Sequence, residues 1–188
     1  MTWTPLGLEA QAPTEVAVID VELELEELPR EVTDFEGEIR GLWRDGRVYI
    51  GGQLAETVFG RLAARGISVV VNLRTPEGMD DRERVPFDEA AVVEALGLEY
   101  INIPVGGDGY PYTPAAVDRL ADVVRWHDGA VLPHCTVAWR ASHLWVAFLV
   151  RERGLSLVDA VARGEAMAFG APPVEGLLGR PLELRFVE

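Results

Sequence analysis

The stretch Ala130-Val-Leu-Pro-His-Cys-Thr-Val-Ala-Trp-Arg-Ala-Ser-His-Leu-Trp145 runs a short apolar segment into an apolar helix, with the only cysteine, Cys135, at the junction. A strand-to-helix junction favours negative charge. Loop amides point into it, and the positive end of the helix dipole faces it. The charge can be a thiolate on Cys135 or an oxyanion bound over it. Arg140, five positions on, can hold two oxygens of such an anion in a bidentate fork. The bland alternative for Cys135 is a small buried hydrophobe, the commonest state of a free cysteine.

The sequence around this junction predicts a regular alternation. Val48 to Ile50 is a short strand stopped by Gly51-Gly52, and Ala55 to Arg65 a helix stopped by Gly66. Ile67 to Leu73 is a β-branched strand. Residues 75–86 read as a charged loop, and Phe87 to Leu96 as a helix. Glu99 to Ile103 is a strand, followed by the flexible loop Gly106-Gly-Asp-Gly-Tyr-Pro-Tyr112. Thr113 caps a helix with Pro114 at its first position, running to about His127. Ala130 to Pro133, Arg140 to Arg153 and Leu157 to Phe169, the last capped by Ser156, complete a strand and two helices.

Strands separated by helices predict an α/β fold, a mostly parallel central sheet with helices on both faces. Ligands on such sheets lie at the carboxyl ends of the strands, so the loops after Leu73, Val105 and Pro133 should share one rim.

The ends are less regular. Residues 1–46 read as an N-terminal extension holding an acidic strand over 15–27, and 47–169 as the central domain. Residues 170–188 read as a C-terminal extension packing on that domain. Segment 29–45 reads as irregular, with Phe35, Ile39, Leu42 and Trp43 available for packing, and 171–179 as a Pro/Gly-rich connector. Pro181 to Val187 could be a last strand pairing with the first, and an edge strand pairing with its own copy would give a homodimer.

The chain has 188 residues and a formal net charge of −14, which argues against nucleic acid and anionic membrane as partners. Every basic residue is arginine, so Schiff-base and Walker-type lysines are excluded. No signal peptide is visible, and a single cysteine forms no internal disulfide; both fit a cytoplasmic location. The three histidines, His127, His134 and His143, lack metal-ligand spacing, and no metal is expected.

His134-Cys135, four intervening residues and Arg140 resemble the anion-binding loop of bacterial dual-specificity-like protein tyrosine phosphatases. The branch that carries four rather than five intervening residues is the nearer likeness; it is related to phosphatase-like domains fused to β-lactamase-fold hydrolases. Tyr49-Ile-Gly-Gly-Gln53, Val69-Val-Val-Asn-Leu-Arg74, Glu99-Tyr-Ile-Asn-Ile-Pro-Val105 and Leu144-Trp145 extend the resemblance over 47–169. It implies a phosphotyrosine-phosphatase-like fold of the dual-specificity type. It also implies hydrolysis of a phosphate monoester, on a protein or a small molecule, with no cofactor.

In that scheme Cys135 is the nucleophile, Arg140 holds the phosphoryl oxygens and the amides of Thr136 to Arg140 bind them. Asp108 is the candidate general acid, with a plain turn aspartate as its equal alternative. His134, Thr136, Val137, Ala138, Trp139 and Arg74 complete the expected substrate-binding set. Arg74 either assists the anion or pairs with the acids at 77–83.

The loop departs from the branch at Thr136-Val-Ala-Trp139, which has no glycine. This predicts dihedral angles at Ala138 unlike those of a glycine-bearing anion loop. Ala141 stands where a hydroxyl often follows the arginine, and Ser142 comes one residue late. Two other functions therefore stay open: a binding module for anions or proteins, and a sulfurtransferase, since a six-residue Cys-to-Arg loop also resembles rhodaneses.

Overall fold

The computed structural model describes residues 27–35, 37–168 and 174–181. The sheet has six strands: β1 (Arg30–Glu31), β2 (Leu42–Asp45), β3 (Val48–Gly51), β4 (Ile67–Asn72), β5 (Glu99–Asn102) and β6 (Ala130–His134). Their order is β1-β2-β3-β6-β4-β5. The four strands β3, β6, β4 and β5 are parallel; β1 and β2 add an antiparallel edge. The mostly parallel α/β sheet is thus present.

Both faces of the sheet are covered. Helices α4 (Pro114–Trp126), α5 (Trp139–Glu152), α6 (Leu157–Glu165) and α7 (Val174–Leu178) enclose one core, with Val69, Val71 and Val131 from the sheet. Helices α1 (Glu56–Ala63) and α3 (Glu89–Ala95) cover the other face, where Val58, Phe59 and Val93 meet Tyr49, Val70 and Leu132. Strands buried on both sides need apolar residues at successive positions, which is why Val69-Val-Val71 is continuous rather than alternating. The alternation of side chains also sorts the site. In β6, Val131 and then Cys135 face the α5 core, while Leu132 faces the α1–α3 side.

Several elements differ from the sequence reading. Segment 29–45 is not irregular, because β2 pairs with β3 as a hairpin across Gly46-Arg47, with Gly46 at φ +60°. Glycine at the first position of that two-residue turn was its signal. The charged loop 75–86 contains a four-residue helix, α2 (Pro76–Met79), capped by the Thr75 hydroxyl accepting from the Gly78 amide at 3.3 Å. The connector 171–179 contains α7, which buries Val174 and Leu177. Thr113 occupies the cap position of α4 but makes no side-chain cap bond, whereas Ser156 does cap α6. The acidic strand expected over 15–27 and the strand expected over Pro181 to Val187 lie, except for Glu27 and Pro181, outside the described residues.

Candidate active site

The carboxyl ends of β3, β4, β5 and β6 form one rim, and the loop after β6 is tied to it on all sides. The Cys135 amide donates to Gly51 O at 3.1 Å, and the Gln53 amide to Thr136 O at 3.1 Å. Val137 forms a bridge with Gly52. Cys135 itself is 1% exposed, at the edge of the α5 core.

Ala138 then turns the chain into α5 with φ +64° and ψ −13°. It is the single non-glycine residue with positive φ among the described residues. The expectation that alanine would not take up a glycine-like conformation is overturned. The turn is fixed by the bonds around it, including Ser142 N to Ala138 O at 2.9 Å, and the small side chain is fully buried. Helix α5 has no side-chain cap. Among the described residues, no chain carbonyl accepts from the amides of Trp139, Arg140 and Ala141. A 14-residue helix thus presents its unbonded amides and dipole at the loop.

Arg140 is held from below. Its Nη1 donates to Leu73 O at 3.1 Å and Val105 O at 3.0 Å, the carbonyls just past β4 and β5. Its Nη2 donates to Thr136 Oγ1 at 3.0 Å. The loops after Leu73, Val105 and Pro133 therefore do converge, on one guanidinium. Nε–H and the second Nη2 hydrogen have no acceptor among the described residues and remain available to an anion.

The other expected residues fall in distinct places. Val137, 45% exposed, is the outer tip of the loop. Trp139 is half-buried in the first turn of α5, edge-on to Tyr112 at 6.5 Å and against the His143 ring at 4.5 Å. Tyr112 stands by the site: burial pushes its phenol up, Arg140 opposes that and Cys135 adds to it. Ser142 is turned away, its single hydroxyl hydrogen within reach of Trp139 O and Ala168 O at 2.9 and 3.0 Å.

Asp108 is exposed in a tight turn closed by the Tyr110 amide on Gly107 O at 2.9 Å. Gly106 and Gly107 fasten this turn to the rim. A Cβ at Gly106 would overlap the Tyr112 hydroxyl and lie 3.0 Å from Arg140 Cδ, and one at Gly107 would press on Thr75. So the turn lies directly beside the loop, with Asp108 at its tip.

Arg74 is 2% exposed. It forms no ion pair with the acids at 77–83 among the described residues; its Nη1 donates to Gln53 Oε1 at 2.6 Å and its Nη2 to Gly78 O. Its Nε is buried without a partner. Burial lowers its pKa, partly offset by Glu89. A cleft of about 590 Å³ opens on Arg74 and Thr136, walled by Leu54, Pro86, Phe87 and Arg40. That volume falls within the range of small-molecule sites.

Beneath the loop lies a residue the sequence reading missed. Glu89 Oε1 lies 2.9 Å from His134 Nε2, and both side chains are fully buried. Asn72 Nδ2 donates to the same carboxylate at 2.7 Å and Gln53 Nε2 at 2.8 Å. Burial alone pushes the Glu89 carboxyl up, but attraction to His134 and the three hydrogen bonds outweigh it and hold it below the usual carboxylate range. Nothing local marks Glu89, 45 positions before His134: in the sequence it is only one residue of the helix expected over Phe87 to Leu96, and in the structure it is the first residue of α3.

No group of metal-ligating side chains occurs among the described residues, and no described helix is long and apolar enough to cross a membrane.

The profile of the family described as "DSP-PTPase phosphatase fused to NAD+ Kinase" matches residues 25–175. The fused partner in that description is NAD+ kinase, not a β-lactamase-fold hydrolase. No curated protein matches the chain. Among solved structures, the chain is similar to the DUF442 protein of Shewanella putrefaciens CN-32, with 23% identity over 77% of this chain and 92% of that one and a TM-score of 0.59. Tk-PTP in its active form is 24% identical over 77% and 93%, with a TM-score of 0.55. TpbA of P. aeruginosa is 16% identical over 80% and 94%, with a TM-score of 0.54. At these identities the likeness shows the fold, a dual-specificity-type phosphatase fold as the sequence resemblance implied.

Proposed function

This chain belongs to the family of DSP-type phosphatase domains described as fused to NAD+ kinase, and on that premise we propose that it hydrolyses phosphate monoesters through Cys135. The observation that carries the reading is the path of the chain from β6 to α5. Cys135, the left-handed Ala138, the unbonded helix amides and the clamped Arg140 follow one another along this short stretch. A phosphoryl group there meets fixed donors, and preorganised donors are the main resource of phosphoryl transfer.

The sulfur of Cys135 attacks phosphorus, an S–P bond forms and the bond to the leaving oxygen breaks. Asp108, at the tip of the adjacent turn, supplies the proton to that oxygen. Water then attacks phosphorus while giving a proton to the Asp108 carboxylate, the S–P bond breaks, and phosphate leaves with the thiolate and the protonated Asp108 restored. Arg140 and the amides of Thr136 to Ala141 hold the equatorial oxygens. The cleft walled by Leu54 and Phe87 receives the part of the substrate beyond the phosphate. TpbA is known as a Cys-to-Ser variant in complex with phosphotyrosine, which supports an aryl phosphate as the probe.

A binding-only role is favoured by one feature: the Ser142 hydroxyl is turned to the carbonyls of Trp139 and Ala168. The test is hydrolysis of an aryl phosphate by wild type, Cys135→Ser and Asp108→Asn, with thiosulfate–cyanide sulfur transfer alongside. Turnover lost in Cys135→Ser, and an Asp108→Asn rate reduced roughly 10²–10⁴-fold, is the expected result. Turnover that survives Cys135→Ser sinks the proposed nucleophile. Phosphate binding without turnover establishes the binding role, and Cys135-dependent thiocyanate formation establishes sulfur transfer.

A further inference from the structure

We propose that Glu89 is a positioning residue for the Cys135 loop, acting through His134 and Gln53. It rests on the reading of Cys135 as nucleophile, but its test does not need turnover.

The residues on either side of Cys135 are both fastened to this one carboxylate. His134 is bonded to it directly at 2.9 Å. Thr136 is bonded through Gln53, whose backbone amide holds Thr136 O at 3.1 Å while its side-chain amide donates to Glu89 Oε2 at 2.8 Å. Asn72, the last residue of β4, supplies the third bond. One group from α3 therefore ties together the carboxyl ends of three neighbouring parallel strands, β3, β4 and β6. Arg74 continues the network from Gln53 toward the cleft.

The chemistry fixes the imidazole. An ionised carboxylate only accepts, so the hydrogen lies on His134 Nε2 and the ring cannot rotate without losing it. Its Nδ1 is buried with no partner. Stability is a poor reason for such an arrangement. Burying a carboxylate costs several kcal/mol, and well-packed apolar residues in place of a buried pair are commonly neutral or stabilising. Placement of the loop is the reason that remains: Cys135 sits between two residues that cannot move while Glu89 holds them.

The titratable groups facing Glu89 are His134 from β6, Arg74 past β4 and Tyr100 from β5; Asp88 at the start of α3 acts on Tyr100. The probe is alkylation of Cys135 by iodoacetamide as a function of pH, with and without inorganic phosphate, in the intact chain. Glu89→Gln keeps the shape but turns an NH2 group toward the donors of Asn72 or Gln53. With the residues on either side of Cys135 no longer held, the pH midpoint of alkylation should move upward. The phosphate concentration for half-protection should rise roughly 10–100-fold, the size typical of losing a group that orients a ligand. In a His134→Asn background the same change should have less than about twofold effect, because its main route is gone.

Glu89→Asp retains the charge one carbon short and should fall between wild type and Glu89→Gln in both readings. An unmoved midpoint with unchanged protection in folded Glu89→Gln overturns the proposal. So does wild-type behaviour of Glu89→Asp, or an undiminished effect without His134. Turnover reports separately. If wild type hydrolyses nothing while Glu89→Gln displaces the midpoint, the phosphatase reading is lost and the role of Glu89 is kept. Turnover with an unmoved midpoint does the reverse.

Discussion

Ala138 turns the chain at φ +64°, where an L-residue costs roughly 1–2 kcal/mol more than in the right-handed region. The cost is met by position: the residue is buried, its carbonyl starts α5, and its neighbour Val137 bridges Gly52. Ala138→Gly removes the Cβ conflict but loosens the unfolded chain, so it should stabilise by no more than about 1 kcal/mol and preserve phosphate binding. Ala138→Val places a β-branched side chain in a left-handed, fully packed position and should lower the thermal midpoint by several degrees. Thermal unfolding of the three proteins should give the order Gly, Ala, Val from most to least stable. The reverse order would show that the loop is not left-handed in solution. The sequence warned of this residue, but the dihedral angle was decided by the bonds on either side of it.

At the scale of elements, the end of α4 shows how a helix is fastened to the sheet. Arg47, just before β3, donates to His127 O at 2.5 Å, to Gly129 O at 2.7 Å and to Val124 O, closing carbonyls that the helix leaves open. His127 Nε2 lies 2.7 Å from Glu99 on β5. Burial alone would lower the His127 pKa; the bonds to Glu99 and Val123 O prevail and raise it. A raised histidine pKa contributes stability that is fully present below the unfolded value, about 6.5, and is lost as pH rises through the folded one. The urea-unfolding difference between wild type and His127→Gln should therefore be larger at pH 5.5 than at pH 9. An equal difference at both would remove the pair from the stability of α4. Helix α4 was legible from Pro114 onward, since proline at the first position and the apolar spacing both act within the segment. The missing Thr113 cap bond and the Arg47 fastening were not, because they depend on where distant residues arrive.

Across the whole molecule, the antiparallel edge and the helical layer are joined by one buried cluster. Asp45 on β2 accepts from Trp145 Nε1 at 2.8 Å and from Arg163 Nη2 at 2.7 Å and Nε at 3.1 Å. Asp45 is 2% exposed and Arg163 6%. Removing one partner of a buried pair leaves the other charge uncompensated, at about 3–5 kcal/mol. Asp45→Ala should show that loss in urea unfolding; a change below about 1 kcal/mol would mean the cluster relaxes without Asp45. Through that cluster β2 carries a side chain that α5 and α6 both use.

The sequence alone determined the order of the parallel strands' segments, the two-faced burial of Val69 to Val71 and the position of Cys135 at a strand-to-helix junction. Those features follow from local spacing, apolar patterning and punctuation by glycine and proline, and the signal for each lies within a few residues. Tertiary structure decided the rest. It clamped Arg140 on Leu73 and Val105, gave Arg74 to Gln53 rather than to the nearby acids, and put Glu89 under His134. Each of these joins groups far apart along the chain, and a hydrogen bond between them exists only once the sheet has brought their strand ends together.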